Sequence, residues 1–521
     1  MATSLKDVWF DRIGSASNIQ VKYHTLGVYY MNQHDFKGRT QEYSLLSSLW
    51  DRPQATMLIL YGRRRVGKTR LLTHWIRSTG HRALYWVAEP SSSVDQLRSF
   101  SQAIYNFVNP MIPAPDDFMY ATWAQAWQQV AAIGRSERFA LFVDEFTYLL
   151  EADPSIAGGL QNAWDHILGQ ANIFLVISGS HLGMMQRHAL SYQAPLYGRA
   201  TALLHLQPFP FGITKSFFPE YDADERVVIY SIFGGIPAYW ERLDSKATIS
   251  ENIRHQLLTP NNLLQAEPRL LLQDFLSDPH NYVGILRSIA HGARTQKEIA
   301  GRTGLPQSHV SKYLNVLREV GFVERRVPVT ESDQARTGRY HIIDPYLRFY
   351  YRFLSDRQAQ LALGIQEQSL AEIKRHLLDF IGTHTWEELC REWVLRASAL
   401  EVLPYLVDQV GSVWNTTAQV DVAGINSMEK TLVLGECKWS PATMGTDVLD
   451  QLLSKVGRVV PQRGNWRVIC LGFARGGWTA EALEFARGRG TIKMKGDNWQ
   501  LEGMQLIDLT QVDADMVRWT S

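Results

Sequence analysis

Gly62-Arg-Arg-Arg-Val-Gly67-Lys68-Thr69 limits what this chain can fold into more than any other feature. It fits G-x-x-x-x-G-K-[ST] and stands directly between the apolar run TMLILY and the helical run RLLTHWIR. Such a loop works at a strand-to-helix corner. Successive backbone N–H groups wrap phosphate oxygens there, and the helix N-terminus adds its positive dipole end. The spacing therefore predicts an ATP site lined by Gly62, Arg63, Arg64, Arg65, Val66, Gly67, Lys68, Thr69 and Arg70. Lys68 is placed to reach the β- and γ-phosphates, and the Thr69 hydroxyl to take Mg²⁺.

The surroundings agree with that corner. TMLILYG, RALYWVA, FALFVDEF, NIFLVISGS and ATALLHLQPF are near-continuous apolar runs separated by helical patterns, as in a parallel sheet covered on both faces. The fold class expected is α/β. Asp144 and Glu145 close the third run. Asp144 is expected to hold Mg²⁺ through water, and Glu145 to polarise the attacking water. Ser178 and Ser180 close the fourth run, where a hydroxyl can sense the γ-phosphate.

At 521 residues the chain has room for three or four domains. Its 53 Lys and Arg against 52 Asp and Glu exclude a uniformly basic binder, so contact with a polyanion has to be local. Cys390, Cys437 and Cys470 are too few and too scattered for a disulfide framework or a four-ligand zinc site, and the histidines show no metal-ligand spacing. Charges at Lys6, Asp7, Asp11 and Arg12 interrupt any signal-like stretch, and no run is apolar enough to span a bilayer. A cytoplasmic protein without membrane contact is expected.

Between Asn281 and Asp344 three helical segments precede two short strand-like runs, GFVERRVPV and RYHIID, joined by TESDQARTG. That order predicts a winged helix-turn-helix. Val310, Leu314 and Leu317 form one stripe of its third helix, while Ser308, Lys312 and Asn315 lie on another. The latter three are candidates for base contact, and the wing residues Arg325 and Arg326, with Arg336 and Arg339, for phosphate contact. A protein-contact role is the alternative.

Farther on, Gln419-Val420-Asp421 and Glu436-Cys437-Lys438 end two strand-like runs joined by GINSMEK. Alternation puts Glu436 and Lys438 on one face with Cys437 on the other, and a hairpin brings Asp421 beside them. Two carboxylates and a lysine suit a divalent-metal phosphodiesterase using Mg²⁺ or Mn²⁺. The bland alternative is an exposed cross-strand ion pair.

GRRRVGKT, VDEF, ISGS, PLYGR and FGGIP together resemble the prokaryotic archaeal-type AAA+/STAND-like P-loop ATPases. Phe36-Lys-Gly38-Arg39-x-x-Glu42 resembles that family's entry motif, which implies that Arg39 lies near the nucleotide. The resemblance also implies an arginine finger or sensor at Arg199 and a lid motif at Gly234-Gly235-Ile-Pro237, with Pro237 by the adenine. D-x14-E-x-K resembles the PD-(D/E)XK nuclease core, and the wider match is to the nuclease-like domain of unknown function that accompanies these ATPases. Trp386-Glu387-Glu388 resembles its first-helix motif, making Glu387 an additional metal carboxylate. Gln419 departs from an acid common two residues before the aspartate, and Gln451 is a weaker candidate on the following helix.

The expected architecture is an N-terminal extension (1–35), ATPase core (36–212), helical lid (213–278), winged helix (279–345), helical connector (346–372) and nuclease-like domain (373–521). The expected function is Mg²⁺-dependent ATP hydrolysis coupled to action on DNA or other nucleic acid, in a possible nucleotide-dependent homo-oligomer. The alternatives are a nucleotide-controlled scaffold whose nuclease-like domain binds without cutting, and a DNA-binding transcription regulator.

Overall fold

The computed structural model describes residues 36–275, 279–489, 496 and 498–520. The expected extension 1–35 lies outside them. The described chain divides into two compact units, one of 36–62, 68–180 and 184–205, the other of 63–67, 181–183, 206–275, 279–489, 496 and 498–520.

The first unit is built on a parallel five-stranded sheet, β1 (Thr56–Tyr61), β2 (Ala83–Val87), β3 (Phe139–Asp144), β4 (Ile173–Gly179) and β5 (Ala202–His205). Their order is β2-β3-β4-β1-β5. Every residue of β3 and β4 is buried, as strands covered on both faces require. All five apolar runs became strands. The helix Lys68–Thr79 buries Leu71, Leu72, Trp75 and Ile76, spaced along one face. Trp75 meets Phe174 edge-on at 5.7 Å and Phe142 at 5.9 Å, which fixes the helix carrying the phosphate loop against β3 and β4.

The second unit begins with helices after β5. The helix Ala223–Phe233 opens with a capping box in which Asp222 and Glu225 satisfy each other's backbone N–H groups. Helices His280–Ala290, Gln296–Thr303 and Gln307–Glu319 then pack Ile285, Leu286, Ile299, Val310, Leu314 and Leu317 into one core. The antiparallel pair β6 (Val323–Arg326) and β7 (Arg339–Ile342) completes a winged helix.

A mixed five-stranded sheet follows, with β8 (Gln409–Trp414), β9 (Gln419–Asn426), β10 (Thr431–Lys438), β11 (Trp466–Ala474) and β12 (Trp499–Asp508). Its order is β12-β11-β10-β9-β8, antiparallel at β8-β9 and β9-β10 and parallel at β10-β11 and β11-β12. The aromatic segment after the winged helix contributes Tyr346, Phe349 and Phe353 to a core shared with Trp386, Trp393 and Phe473. The wing lies on the sheet edge. Val329 N donates to Ser412 O at 3.1 Å, Trp414 Nε1 donates to Thr337 O at 3.1 Å, and the Arg339 guanidinium stacks 4.5 Å above the Trp414 ring.

Candidate nucleotide and C-terminal carboxylate sites

In the first unit the chemistry gathers at the C-terminal ends of the strands. Lys68 is buried and its Nζ donates to Gly62 O at 2.8 Å, folding the ammonium back over its own loop. Thr69 Oγ1 donates to Asp144 Oδ2 at 2.7 Å. Asp144 also accepts from Ser178 Oγ at 2.5 Å, from Glu145 N at 2.9 Å and from the Tyr85 hydroxyl. Burial and the neighbouring Asp144 charge push the Tyr85 phenol far above its ordinary range, so it stays protonated and donates. Glu145 adopts a left-handed backbone conformation with φ 53°, and its Oε2 accepts from Ser180 Oγ at 2.7 Å. Left-handed backbone at a glutamate costs free energy and is concentrated at functional sites.

The two serines expected to sense phosphate thus brace Asp144 and Glu145. Tyr85 was missed. Its only signal was a phenol in an otherwise apolar strand. Arg39 takes a left-handed conformation with φ 80° and pairs with Glu42 at 2.9 Å, and burial lowers its pKa. Arg199 is tied to Asp165 by Nε at 3.1 Å and Nη2 at 2.8 Å. Among the described residues it is not part of the group around Asp144.

Loop residues 63–67 group with the second unit. Arg63 pairs with Asp344 and donates to the Tyr239 hydroxyl at 3.2 Å, and Arg65 Nη2 lies 2.8 Å from buried Glu267 Oε2. Arg65 and Gly67 have positive φ, 66° and 102°. A Cβ on Gly67 would lie 3.7 Å from Pro237. Val66 is buried, and burial lowers the Arg70 pKa.

These donor types fit a Mg²⁺ nucleotide: a lysine and a glycine-rich loop for phosphate, a threonine hydroxyl and an aspartate for the ion.

The C-terminal site brings Asp421, Glu436 and Lys438 together. Cys437 N donates to Asp421 Oδ2 at 3.1 Å, which brings Asp421 beside Glu436 and Lys438. Lys438 Nζ meets Glu436 Oε1 at 2.9 Å, and Lys455 Nζ, which sequence reasoning passed over, meets Oε2 at 2.7 Å. Gln451, one turn earlier, is exposed. Glu387 Oε2 pairs with Arg391 at 3.2 Å. Burial and the nearby Asp421 raise the Glu387 carboxyl to about 7, with Arg391 opposing them. Burial and Glu436 likewise raise Asp421.

Among the described residues no group of three or more His, Cys, Asp or Glu side chains is arranged to hold a metal ion. Asp421 stands beside Glu436, and the charges of Asp421 and Glu387 act on one another. Both Glu436 oxygens receive ammoniums, Asp421 receives a backbone N–H, and Glu387 is held by a guanidinium.

On the winged helix, Ser308, Lys312 and Asn315 are exposed. The wing arginines are turned inward. Arg325 donates to the carbonyls of Asp333, at 2.9 Å, and Ala335. Arg326 donates to Glu324 at 2.5 Å and Glu388 at 2.9 Å. The expected phosphate contacts at Arg325 and Arg326 are thus engaged with protein acceptors. Glu388 also receives Arg348 at 3.2 Å. Burial would raise its pKa, but Arg348, Arg326 and Arg391 overcome that and pull it down to about 2. No helix among the described residues is long and apolar enough to cross a membrane.

Comparison with known proteins places three segments. Residues 36–243 match an ATPase domain predominantly from Archaea, 281–327 an IclR helix-turn-helix domain, and 350–447 archaeal and bacterial proteins of unknown function. The uncharacterized protein MJECL04 of Methanocaldococcus jannaschii is 28% identical over 423 residues, covering 81% of this chain and 90% of its own. The Walker-type ATPase PABY2304 of Pyrococcus abyssi superposes with a TM-score of 0.47 at 19% identity, over 61% of this chain and 96% of its own. The Aeropyrum pernix ORC2 protein gives 0.40 at 13% identity, over 64% and 95%. In chain order, the segment that matches the ATPase domain is thus followed by one that matches a helix-turn-helix domain and one that matches the family of unknown function.

Proposed function

We propose that this protein hydrolyses ATP with Mg²⁺ and acts on nucleic acid through its winged helix and C-terminal domain. The observation that carries the ATPase reading is the set of hydrogen bonds converging on Asp144 from Thr69, Tyr85, Ser178 and the Glu145 backbone. An aspartate so held is pre-organised, and preorganisation at charged phosphates is a large source of catalytic power. Lys68 exchanges the Gly62 carbonyl for phosphate oxygens. Thr69 and Asp144 hold the ion, which offsets charge on the phosphates when bound. Glu145, braced by Ser180, orients the attacking water.

Nucleic-acid contact rests on the exposed Ser308, Lys312 and Asn315, while the docked wing transmits the winged helix's position to the C-terminal sheet. The C-terminal domain serves in binding. Metal-dependent cleavage is the second reading, and the convergence of Asp421, Glu436 and Lys438 favours it.

The test is radiolabelled ATP turnover and nucleotide binding by purified protein. Lys68→Ala is expected to abolish binding, and Glu145→Gln to keep binding while losing at least a hundredfold in turnover. Wild-type turnover in both variants would remove the assignment.

A further inference from the structure

The tip of the wing lies along β8, the edge strand of the C-terminal sheet. Besides the main-chain bond from Val329 N to Ser412 O, the Val329 side chain packs against the core of that sheet. Its seat is over Gly411, where a Cβ would come within 2.7 Å of Val329 Cγ1. Arg339 lies across the Trp414 ring and donates to Gln419 Oε1 at 3.0 Å, while Arg326 reaches Glu388 on the helix Glu387–Ala399. Burial lowers the Arg339 pKa, so this guanidinium is held at a cost that an anion's oxygens would relieve. Of the four arginines of the wing, Arg336 is exposed and Arg325, Arg326 and Arg339 are partly buried.

The seat consists of one backbone bond, one apolar side chain, one stacked guanidinium and one shared carboxylate. DNA phosphates offer charge-assisted hydrogen bonds to the same two guanidiniums. A fork of N–H donors engaged with Glu388 or Gln419 cannot serve a phosphate as well, so docking and full DNA contact compete. We propose that the wing is an autoinhibitory latch: seated on β8 it withholds Arg326 and Arg339 from duplex DNA, and the winged helix binds at full strength only after the wing lifts off. This rests on the nucleic-acid reading above and is independent of ATP turnover. It also makes DNA a releasing ligand, because binding that recruits the two arginines loosens the winged helix from the C-terminal sheet.

The experiment is fluorescence anisotropy of a labelled random-sequence DNA duplex with the full chain. Val329→Cys combined with Gly411→Cys places two thiols across the seat, within disulfide reach. Oxidised glutathione then locks the wing down and dithiothreitol frees it in the same folded chain, with wild type treated alike as the reference. The locked form is expected to bind about fivefold or more weakly than the reduced form, with a log–log salt slope flatter by about 1.8, the share of two phosphate contacts. Glu388→Gln combined with Gln419→Ala removes a polar partner of each arginine without touching the wing, and it should tighten binding about threefold or more and steepen the salt slope. Failure of the cysteine pair to cross-link, equal affinity of the locked and reduced forms, or unchanged or weaker binding by the Glu388→Gln, Gln419→Ala variant would each overturn the latch. Absence of DNA binding by wild type and by every variant would instead remove the nucleic-acid reading together with the latch.

Discussion

Replacing Glu388 with Gln leaves the shape of the side chain and removes the charge that Arg326 and Arg348 share. Arg348 is 4% exposed and Arg326 28%, so neither guanidinium can turn fully to water when the carboxylate is gone. The Glu388 carboxyl, ordinarily at 4.5, is pulled down to about 2, a preference for the charged form worth roughly 3 kcal/mol. The Glu388 side chain keeps 28% of its own surface, and solvent screening trims the expectation to about 2–3 kcal/mol. Loss of one partner of a fully buried pair costs about 3–5 kcal/mol, so the estimate sits below that range as partial exposure demands.

The folded-state pKa is depressed, so the contribution is complete above pH 4.5 and is lost as pH falls from 4.5 toward 2. Scanning calorimetry of the full chain should show the transition of the second unit lowered by roughly 3–5 °C at pH 7 in Glu388→Gln, given its about 300 residues. Between pH 4.5 and 3 the wild type and the variant should converge. A double-mutant cycle with Arg326→Gln should return a coupling of about 1 kcal/mol or more. A variant within 0.5 kcal/mol of wild type, or a difference that does not shrink with acid, would refute the idea that this carboxylate fastens the wing to the helix Glu387–Ala399.

Two further outcomes follow from the same geometry. Tyr85→Phe removes a neutral donor from the Asp144 carboxylate, a bond class worth about 1.5–3 kcal/mol. It should raise the Mg²⁺ concentration for half-maximal ATPase activity about tenfold while leaving ATP binding in EDTA unchanged, and an unchanged Mg²⁺ dependence in steady-state assays would count against it. Gly235→Ala places a Cβ against the backbone of Phe209, whose N–H donates to Gly235 O at 2.7 Å. Backbone cannot give way as a side chain does, so urea denaturation should show a loss of about 1–3 kcal/mol, and a neutral result would show that the helices after β5 repack freely.

The parts legible in the sequence were those set by neighbours along the chain. Apolar runs of strand length announced all five strands of the first sheet, and the loop 62–69 announced its own strand-to-helix corner. Period-2 alternation put Glu436 and Lys438 on one face, and their 2.9 Å contact follows from that period. Asp421 arrived beside them because a short antiparallel connection leaves little freedom of register.

What only the tertiary structure decided joins residues far apart in the chain. Tyr85 reaches Asp144 across 59 positions and Arg326 reaches Glu388 across 62, and no local pattern carries that information. The wing arginines read as phosphate contacts because charge on a hairpin tip usually meets solvent, and the wing's own carbonyls, with Glu388 on the helix Glu387–Ala399, supplied protein acceptors instead. Lys455 was invisible for the same reason. Helical spacing shows which residues share a face, but the packing of the helix Thr446–Val459 against β10 brought its ammonium to the second oxygen of Glu436. The sequence by itself determined which chemical groups were available. Tertiary packing decided which of them neutralise one another, because charges separated by dozens of residues meet only when the sheets and helices that carry them have formed.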